Sequence, residues 1–434
     1  MLYYSTNDKN LRHPLKTAVI SGLAPDKGLY MPETIPMLSN DFWLKLPDMS
    51  LGDIGFETLR PFFCPDIPES AFQTLTREAF NFPVPLIPVN ERLGALELFH
   101  GPTLAFKDIG ARFLARVMAH FTRTDERPIN VLVATSGDTG SAVANGFLGV
   151  KGVRVFVLYP KGLVSKVQEM QFTTLGQNIT PIEIAGTFDD CQRLVKTAFM
   201  DEELREAMTL TSANSINVAR FLPQMVYYFH AYAQAIKQGH RDVVVAVPSG
   251  NFGNLTAGLV AQRMGLPIKR FIAATNRNDV VPQYLATGHY AARPSIATPA
   301  NAMDVGDPSN WARIEDLFQH DVTRIKAHLM AHAVDDATIF SSIKNFFASA
   351  NYVLDPHGAT ACAILEEQLQ NGEYGVFLGT AHPAKFPEAV ELTLERTVEQ
   401  PERLRAFMQG SKKSEQSSKS YDHFKELLCR KGGV

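Results

Sequence analysis

Short apolar runs alternate with amphipathic stretches from about residue 129 onward, and this alternation limits the fold more than any other feature of the sequence. The runs have the length and near-continuous hydrophobicity of strands buried on both faces of a parallel sheet. They are Val131–Ala134, Val153–Tyr159, Ile179–Ile184, Val243–Val247, Phe271–Thr275 and Gly375–Leu378. Helical periodicity lies between them, for example at Ser165–Leu175, Asp189–Met200, Val218–Lys237 and Leu255–Met264. Such alternation predicts an α/β fold around a mainly parallel sheet.

The two ends of the chain lack this clear pattern. The chain has 434 residues, more than the roughly 250–300 at which a single core stops growing, so two or three domains are expected. The first 95 residues are rich in proline toward their end, and we interpret them as an N-terminal domain or extension. The polar, low-complexity segment after Gln409 predicts a flexible linker, followed by a short helix at Tyr421–Cys429.

Charge and cysteine content exclude several classes of protein. A formal net charge of −3, with no basic run interleaved with aromatic residues, speaks against nucleic-acid or anionic-membrane binding. The four cysteines are far apart and have no metal-ligand spacing, which indicates neither a disulfide scaffold nor a zinc site. We find no signal peptide and no apolar stretch of transmembrane length, so a cytoplasmic protein with free thiols is expected.

The segment HGPTLAFKD contains the first candidate catalytic residue, Lys107. This lysine begins an amphipathic helix in an apolar setting. A lysine nucleophile must be partly neutral, and desolvation lowers its pKa toward that condition. The competing interpretation is a helix-start lysine that extends to solvent.

Three polar, glycine-bearing turns follow predicted strands, at 135–140, 249–254 and 379–386. In parallel sheets, ligands bind beyond the carboxyl ends of the strands. The loop 249–254 precedes a helix, whose N–H groups and dipole favour an anion such as a phosphate. The turn TSGDTGSA suits a carboxylate, because it holds several hydroxyls at a helix start. The alternatives are an ordinary tight turn for the first and simple N-capping for the second.

Two further segments carry candidate site residues. SANSINVAR places Asn214, Ser215 and Arg220 where they could gather around a second anion. A capped helix with a solvated arginine explains the same pattern. GTAHPAKF follows the last predicted strand and offers Thr380 and His382, which are natural in a site and natural in a turn.

Taken together, these segments resemble the threonine synthase family. HGPTLAFKD is similar to the family's cofactor-lysine motif, and YYST with GLAPDKGLYMP resembles its N-terminal signature, in which a second glycine is usual where Lys27 stands. TSGDTG, NSINVAR, PSGNFGN, NAMDVGDPSNW and GTAHPAKF follow in the family's order. The resemblance extends from about residue 3 to 400.

This resemblance implies an α/β fold of the tryptophan-synthase-β-like type II class of pyridoxal-phosphate enzymes. We therefore expect two open, twisted, mainly parallel sheets with helices on both faces, plus an N-terminal extension. The expected division is an N-terminal part at 1–95, an α/β subdomain with the cofactor lysine at 96–215, an α/β subdomain with the phosphate loop at 216–400, and a partly flexible tail at 401–434.

The resemblance also implies a role for each matching residue. Lys107, preceded by Phe106, would bind pyridoxal 5′-phosphate as a Schiff base, and Thr380 would hydrogen-bond the pyridine nitrogen. The loop residues Ser249, Gly250, Asn251, Phe252, Gly253 and Asn254 would hold the cofactor phosphate. The turn residues Thr135, Ser136, Gly137, Asp138 and Thr139 would clasp the substrate carboxylate, with Asp138 also near the ring's 3′-oxygen. Asn214, Ser215 and Arg220 would receive the substrate phosphate.

The implied activity is that of a carbon–oxygen lyase acting on phosphates. It would convert O-phospho-L-homoserine and water to L-threonine and phosphate, the last step of threonine biosynthesis. Two alternatives stay open: a related phospho-lyase that releases 2-oxobutyrate, and a catalytically silent binding protein on the same scaffold. The sequence leaves the choice between a monomer and a homodimer open.

Overall fold

The computed structural model describes residues 1–123 and 127–433. Its N-terminal part is a small antiparallel sheet with helices. Its strands pair in the order β2-β1-β3. They are β1 Leu2–Ser5, β2 Arg12–Pro14 and β3 Tyr30–Pro32. The helices are α1 Leu15–Ser21, α2 Asn40–Lys45, α3 Leu51–Phe63 and α4 Glu69–Ala79, with a 3-10 turn at Leu46–Asp48. Among the residues described, no helix is both long and apolar enough to cross a bilayer.

An aromatic cluster joins this N-terminal part to α5, the helix Lys107–Thr122. The ring of Phe113 on α5 meets those of Phe63, Phe72 and Phe80 at centroid distances of 4.9, 6.0 and 5.7 Å. Phe63, Phe72 and Phe113 are fully buried. Aromatic contacts of this kind stabilise beyond their buried area, so they hold α5 against the N-terminal part.

The second unit is a parallel sheet of five strands in the order β14-β8-β7-β6-β9. The strands are β6 Ile129–Ala134, β7 Val153–Pro160, β8 Ile179–Ala185, β9 Thr209–Ser212 and β14 Glu415–Ser418. Four helices follow strands β6 to β8: α6 Asp138–Phe147, α7 Lys166–Thr173, α8 Phe188–Met200 and α9 Glu202–Ala207. Successive side chains point to opposite faces. Val131 and Val133 therefore pack with Phe113 in one core, and Leu132 packs with Leu194 in another.

The third unit is a six-stranded sheet in the order β12-β11-β10-β13-β5-β4, parallel except for the edge strand β4. Its strands are β4 Leu86–Pro88, β5 Leu93–Glu97, β10 Val243–Pro248, β11 Arg270–Thr275, β12 Leu329–Ala333 and β13 Tyr374–Gly379. The remaining helices are α10 Val218–Phe221, α11 Met225–Lys237, α12 Gly253–Arg263, α13 Val280–Thr287, α14 Trp311–Leu317, α15 Val322–His328, α16 Asp336–Ala350, α17 Pro356–Gln368, α18 Pro387–Leu394, α19 Glu402–Met408 and α20 Tyr421–Gly432. Three more 3-10 turns lie at Leu222–Gln224, Asn301–Met303 and Pro383–Lys385.

All six predicted strands are confirmed within one or two residues, and so are three of the four helices predicted between them; the short helix predicted at Tyr421–Cys429 is α20, which continues to Gly432. The fourth, expected to run unbroken over Val218–Lys237, is interrupted between α10 and α11 by the 3-10 turn Leu222–Gln224. Pro223 lies in this turn. Proline lacks an N–H and collides with the preceding helical turn, which explains the break.

Two expectations for the ends of the chain are corrected. Residues 86–97 form β4 and β5, which belong to the six-stranded sheet and not to an N-terminal extension. The segment expected to be a flexible linker forms β14 instead, in parallel register with β8 from Glu415↔Ile182 to Ser418↔Ala185. These three strands have only three to five residues each, and β5 and β14 pair with strands that are far away along the chain.

The carboxyl ends of both large sheets face one cavity of about 1440 Å³. Its wall includes Ala134 at the end of β6, Pro248 at the end of β10 and Thr380 just after β13. This is where parallel sheets place their ligands.

Candidate active site

Lys107 is the first residue of α5, and its side chain lines the cavity. The backbone before it is fixed by two hydrogen bonds. Phe106 N donates to Thr380 O at 2.8 Å, and Tyr227 Oη donates to Phe106 O at 2.9 Å. The lysine therefore enters the cavity from a backbone that is tied to the end of the six-stranded sheet.

The surroundings of Lys107 make its neutral form more accessible than that of a solvated lysine. Burial lowers the pKa of Lys107; the Asp138 carboxylate opposes this change, while Lys385 and Arg220 add to it. Nζ lies 3.8 Å from Asp138 Oδ2. The solvated lysine considered from sequence is not what the structure contains, because the side chain is only 17% exposed. A partly neutral amine can act as a nucleophile or a base.

The turn before α6 holds its shape through Thr135. Thr135 Oγ1 accepts hydrogen bonds from Gly137 N at 2.9 Å and Gly140 N at 2.8 Å. Gly137 has φ +147°, and a Cβ there would lie 2.5 Å from Gln168, so glycine is required. Ser136, Asp138 and Thr139 line the cavity, but Thr135 and Gly137 do not. The structure thus divides the predicted turn into residues that face the cavity and residues that shape it.

Asp138 is a buried carboxylate between two lysines. Lys385 Nζ lies 2.5 Å from Oδ1, and Gln168 Nε2 donates to the same oxygen at 3.0 Å. Although burial alone raises the pKa of Asp138, Lys385 and Lys107 outweigh it and hold that pKa below its ordinary range. Asp138 is therefore ionised at neutral pH.

The loop before α12 has the shape of an anion cradle. All six residues from Ser249 to Asn254 line the cavity, and no side chain caps the N–H groups at the start of the helix. A Cβ on Gly250 would lie 2.7 Å from Met303 Cα, so only glycine fits there. Asn254 Nδ2 is buried and has no hydrogen-bond partner among the described residues. Free backbone donors, a helix N-terminus and an unsatisfied amide fit a phosphate group.

A second candidate anion site lies at the turn before α10. Asn214, Ser215 and Arg220 all line the cavity. Arg220 is 3% exposed, and its Nη1 has no hydrogen-bond partner within the described parts of the chain. Burial lowers the pKa of Arg220 to about 10, which still leaves the guanidinium charged at neutral pH. A buried, unsatisfied cation at a cavity wall fits an anionic ligand, so the solvated arginine considered from sequence is wrong.

Two residues that sequence reasoning missed connect these candidate sites. Asn310 Nδ2 donates to Ser215 Oγ at 3.2 Å and to Asn251 O at 3.0 Å. Arg313 is fully buried and donates to Asn310 Oδ1 at 2.6 Å and to Tyr30 O at 3.1 Å. Asn310 belongs to the segment NAMDVGDPSNW, which resembled the family but suggested no role.

The segment GTAHPAKF contributes only one of its two candidate residues to the cavity wall. Thr380 lines the cavity, whereas His382 does not. His382 Nδ1 accepts a hydrogen bond from Ala384 N at 3.2 Å, and burial lowers the pKa of His382 to about 4. The histidine therefore caps the 3-10 turn Pro383–Lys385, and the lysine at the end of that turn reaches Asp138.

Two parallel sheets around one cavity, with a buried lysine at a helix start and a glycine-rich anion loop, define a pyridoxal-phosphate enzyme of fold type II. Residues 83–377 match the pyridoxal-phosphate dependent enzyme family. The flanking residues 2–80 and 358–428 match the threonine synthase N-terminal and C-terminal families.

Individual relatives and solved structures support the same family. Threonine synthase of Escherichia coli is 47% identical over 404 residues, which cover 93% of this chain and 94% of that protein. The crystal structure of the Escherichia coli enzyme has a TM-score of 0.92 at 43% identity and covers 99% of this chain and 100% of that one. The pyridoxal-phosphate-bound threonine synthase of Brucella melitensis has a TM-score of 0.94 at 34% identity, with full coverage of both chains. The chain belongs to the threonine synthase family, and it is a pyridoxal-phosphate-dependent lyase with threonine synthase function.

Proposed function

We propose that this enzyme converts O-phospho-L-homoserine and water to L-threonine and phosphate, and that its site residues have the roles inferred from their sequence motifs, except that Thr135 and Gly137 shape their turn and do not contact the substrate. The observation that carries this proposal is Arg220, a buried guanidinium at the cavity wall whose Nη1 lacks a partner in the described structure. Arg220 is not one of the residues of the cradle at 249–254, and both line the cavity, which therefore offers two candidate anion sites. A substrate with its own phosphate needs this second anion site.

The cofactor is assigned to the loop and to the lysine. Ser249 to Asn254 would hold the cofactor phosphate through backbone N–H groups, Thr380 would hydrogen-bond the pyridine nitrogen, and Lys107, beside Phe106, would supply the amine for covalent attachment. When bound, pyridoxal phosphate supplies an aldehyde for this attachment and an electron-withdrawing ring that stabilises negative charge on the substrate carbons.

The substrate is assigned to the two turns. Ser136 and Thr139, with the N–H groups at the start of α6, hold its carboxylate, while Thr135 and Gly137 keep the turn in shape. Asn214, Ser215 and Arg220 hold its phosphate. The two ends of the substrate are thereby fixed, which orients the carbon chain between them toward the amine.

Lys107 then acts as a base and an acid. Its neutral amine takes the proton from the substrate Cα and carries protons to and from Cβ and Cγ in the later steps. Arg220 stabilises the phosphate as the bond from Cγ to oxygen breaks. Water adds at Cβ inside the cavity.

The test is to incubate the enzyme with O-phospho-L-homoserine and to quantify threonine, 2-oxobutyrate and phosphate together. We expect threonine and phosphate in equal amounts, with 2-oxobutyrate a minor product. Stoichiometric 2-oxobutyrate with little threonine would instead establish the phospho-lyase. Phosphate release alone does not separate these reactions, because both begin with elimination.

We further propose that the enzyme works in the cytoplasm as a monomer or homodimer. We also propose four parts, 1–95, 96–215, 216–400 and 401–434, except that residues 86–95 and 415–418 belong to the sheets of the two central parts.

A further inference from the structure

Lys385 is a fully buried lysine that has no part in the mechanism above. It ends the 3-10 turn after β13, and its Nζ lies 2.5 Å from Asp138 Oδ1 and donates to Thr103 O at 2.9 Å. An ammonium taken out of water is costly unless it is paired. Within the described chain, Asp138 is its one ion-pair partner.

Asp138 connects Lys385 to the candidate catalytic lysine. One carboxylate oxygen faces Lys385 and the other lies 3.8 Å from Lys107 Nζ. Asp138 begins α6 of the five-stranded unit, and Lys385 follows β13 of the six-stranded sheet. The ion pair therefore joins the two units, and its carboxylate lies beside Lys107.

An ionised Asp138 without a counter-charge would oppose the proposed chemistry in two ways. It would repel a substrate carboxylate held at the same turn, and it would stabilise Lys107 as an ammonium, which neither attacks an aldehyde nor accepts a proton. A cation on the far side of the carboxylate offsets both effects.

We propose that Lys385 is a positioning residue that anchors the Asp138 carboxylate and offsets its charge, so that Lys107 remains a neutral amine. This inference rests on the proposed role of Lys107 as the cofactor lysine. The direction of the pKa shifts agrees with it, since Lys385 lowers the pKa of Lys107 in addition to the effect of burial.

Other charged and titratable groups lie near the two lysines. Arg220 on α10 acts on Lys107, and Asp108 on α5 is close enough to interact with both Arg220 and Lys385. Tyr227 on α11 interacts with Arg220 and Asp108, and His382 interacts with Lys385. None of these groups changes in the variants below, so differences among the variants report the Lys385–Asp138 pair.

The experiment measures how fast cofactor-free, full-length protein binds added pyridoxal phosphate covalently, as a function of pH, by visible absorbance. The rate rises with pH through the pKa of Lys107, because only the neutral amine attacks the aldehyde. The pH at which this rate reaches half of its maximum is the midpoint. In Lys385→Met, the uncompensated Asp138 should raise this midpoint by about 1–3 pH units. In Asp138→Asn, the midpoint should fall, because Lys385 then repels the Lys107 ammonium without a counter-charge.

The double variant, Lys385→Met with Asp138→Asn, removes both charges, so its midpoint should return close to that of the parent. Lys385→Arg should remain closer to the parent than Lys385→Met, since it keeps the charge. The matched control is Lys269→Met, which removes a carboxylate-paired lysine outside the cavity and should leave the midpoint unchanged.

The inference would be overturned if Lys385→Met had the same midpoint as the parent. It would also be overturned if the midpoint of the double variant were shifted as far as that of Lys385→Met alone. If Lys385→Met does not fold, the test rests on Asp138→Asn. An unchanged or raised midpoint in that variant refutes the proposed effect of the Lys385–Asp138 ion pair on Lys107. Borohydride reduction and peptide mass analysis separate this result from the proposed function. Cofactor fixed to Lys107 with unmoved midpoints refutes only the inference, whereas cofactor fixed elsewhere refutes the role of Lys107.

Discussion

Asn251 Nδ2 donates a hydrogen bond to Ser215 Oγ at 2.5 Å, so the glycine-rich loop before α12 and the turn before α10 are in direct contact. Ser309 N in turn donates to Asn251 Oδ1 at 2.6 Å. The proposed seats of the cofactor phosphate and the substrate phosphate thus share a wall of hydrogen-bonded side chains. A change in the geometry of one binding site should therefore affect the other, because the hydrogen bonds of such a network depend on one another.

Lys107→Ala should abolish covalent attachment of the cofactor. The purified parent should have visible absorbance from the bound cofactor, and borohydride should fix the cofactor to Lys107. In the variant, the cofactor should dissociate on dialysis and no reduced adduct should form. A reducible adduct at another residue of the variant would show that the lysine is misassigned.

Gly253→Asp should weaken cofactor binding, because it adds a carboxylate where the cofactor phosphate is proposed to lie. A Cβ there also meets Asn310 Nδ2 and Ser215 Cβ at 3.3 Å, so crowding alone has a cost. Gly253→Asn is the matched control for that crowding. We expect the Asp variant to bind pyridoxal phosphate at least about tenfold more weakly than the Asn variant, ~1.4 kcal/mol. Equal affinities in a cofactor titration would argue against a phosphate at this loop.

Arg220→Ala should impair use of the substrate while leaving the cofactor absorbance intact. A charge-assisted contact to a phosphate contributes ~1.5–3 kcal/mol, so kcat/KM should fall by roughly tenfold to over a hundredfold. Inorganic phosphate should inhibit the parent more strongly than the variant. Arg263→Ala, which removes an exposed arginine at the far end of α12, serves as the control. Equal inhibition of the parent and Arg220→Ala would place Arg220 outside the substrate site.

Local sequence patterns predicted the residues around the cavity better than the contacts among them. The anion loop 249–254 could be found because it lies at a strand-to-helix turn, and Lys107 because it begins an amphipathic helix within a motif similar to the family's cofactor-lysine segment. Lys385, Asn310 and Arg313 could not, because their roles depend on partners from distant segments. A fully buried lysine cannot be recognised from its neighbours in sequence. The same reason explains why β5 and β14 were missed: each is completed by a strand far away along the chain.

The corrected C-terminal segment leads to a prediction about stability. Leu428 on α20 is fully buried in the core that also contains Ile182 of β8 and Leu194 of α8. Leu428→Ala should therefore lower the free energy of unfolding by ~2–5 kcal/mol, as expected for truncating a buried leucine. Lys419→Ala, at an exposed position of the same segment, should change it by less than about 0.5 kcal/mol. Denaturant unfolding measures both, and equal values would mean that the segment is not docked in solution.

Asn310→Ala should disturb both proposed phosphate seats at once. It removes the two hydrogen bonds from Nδ2 to Ser215 Oγ and Asn251 O, while Arg313 loses its acceptor on the same side chain. We expect the dissociation constant for pyridoxal phosphate and the KM for the substrate to rise together, although Asn310 is not assigned a direct contact with either ligand.

A double-mutant cycle then tests whether Asn310 acts through Ser215. Side chains that share a hydrogen bond show coupling of ~0.5–3 kcal/mol, so the effects of Asn310→Ala and Ser215→Ala on KM should be clearly non-additive. Ser249→Ala provides the control cycle, because the Ser249 hydroxyl donates to Val247 O and has no bond to Asn310. Its effect on cofactor binding should add to that of Asn310→Ala. Additive behaviour in both cycles would mean that the two seats are independent, in spite of the contact between Asn251 and Ser215.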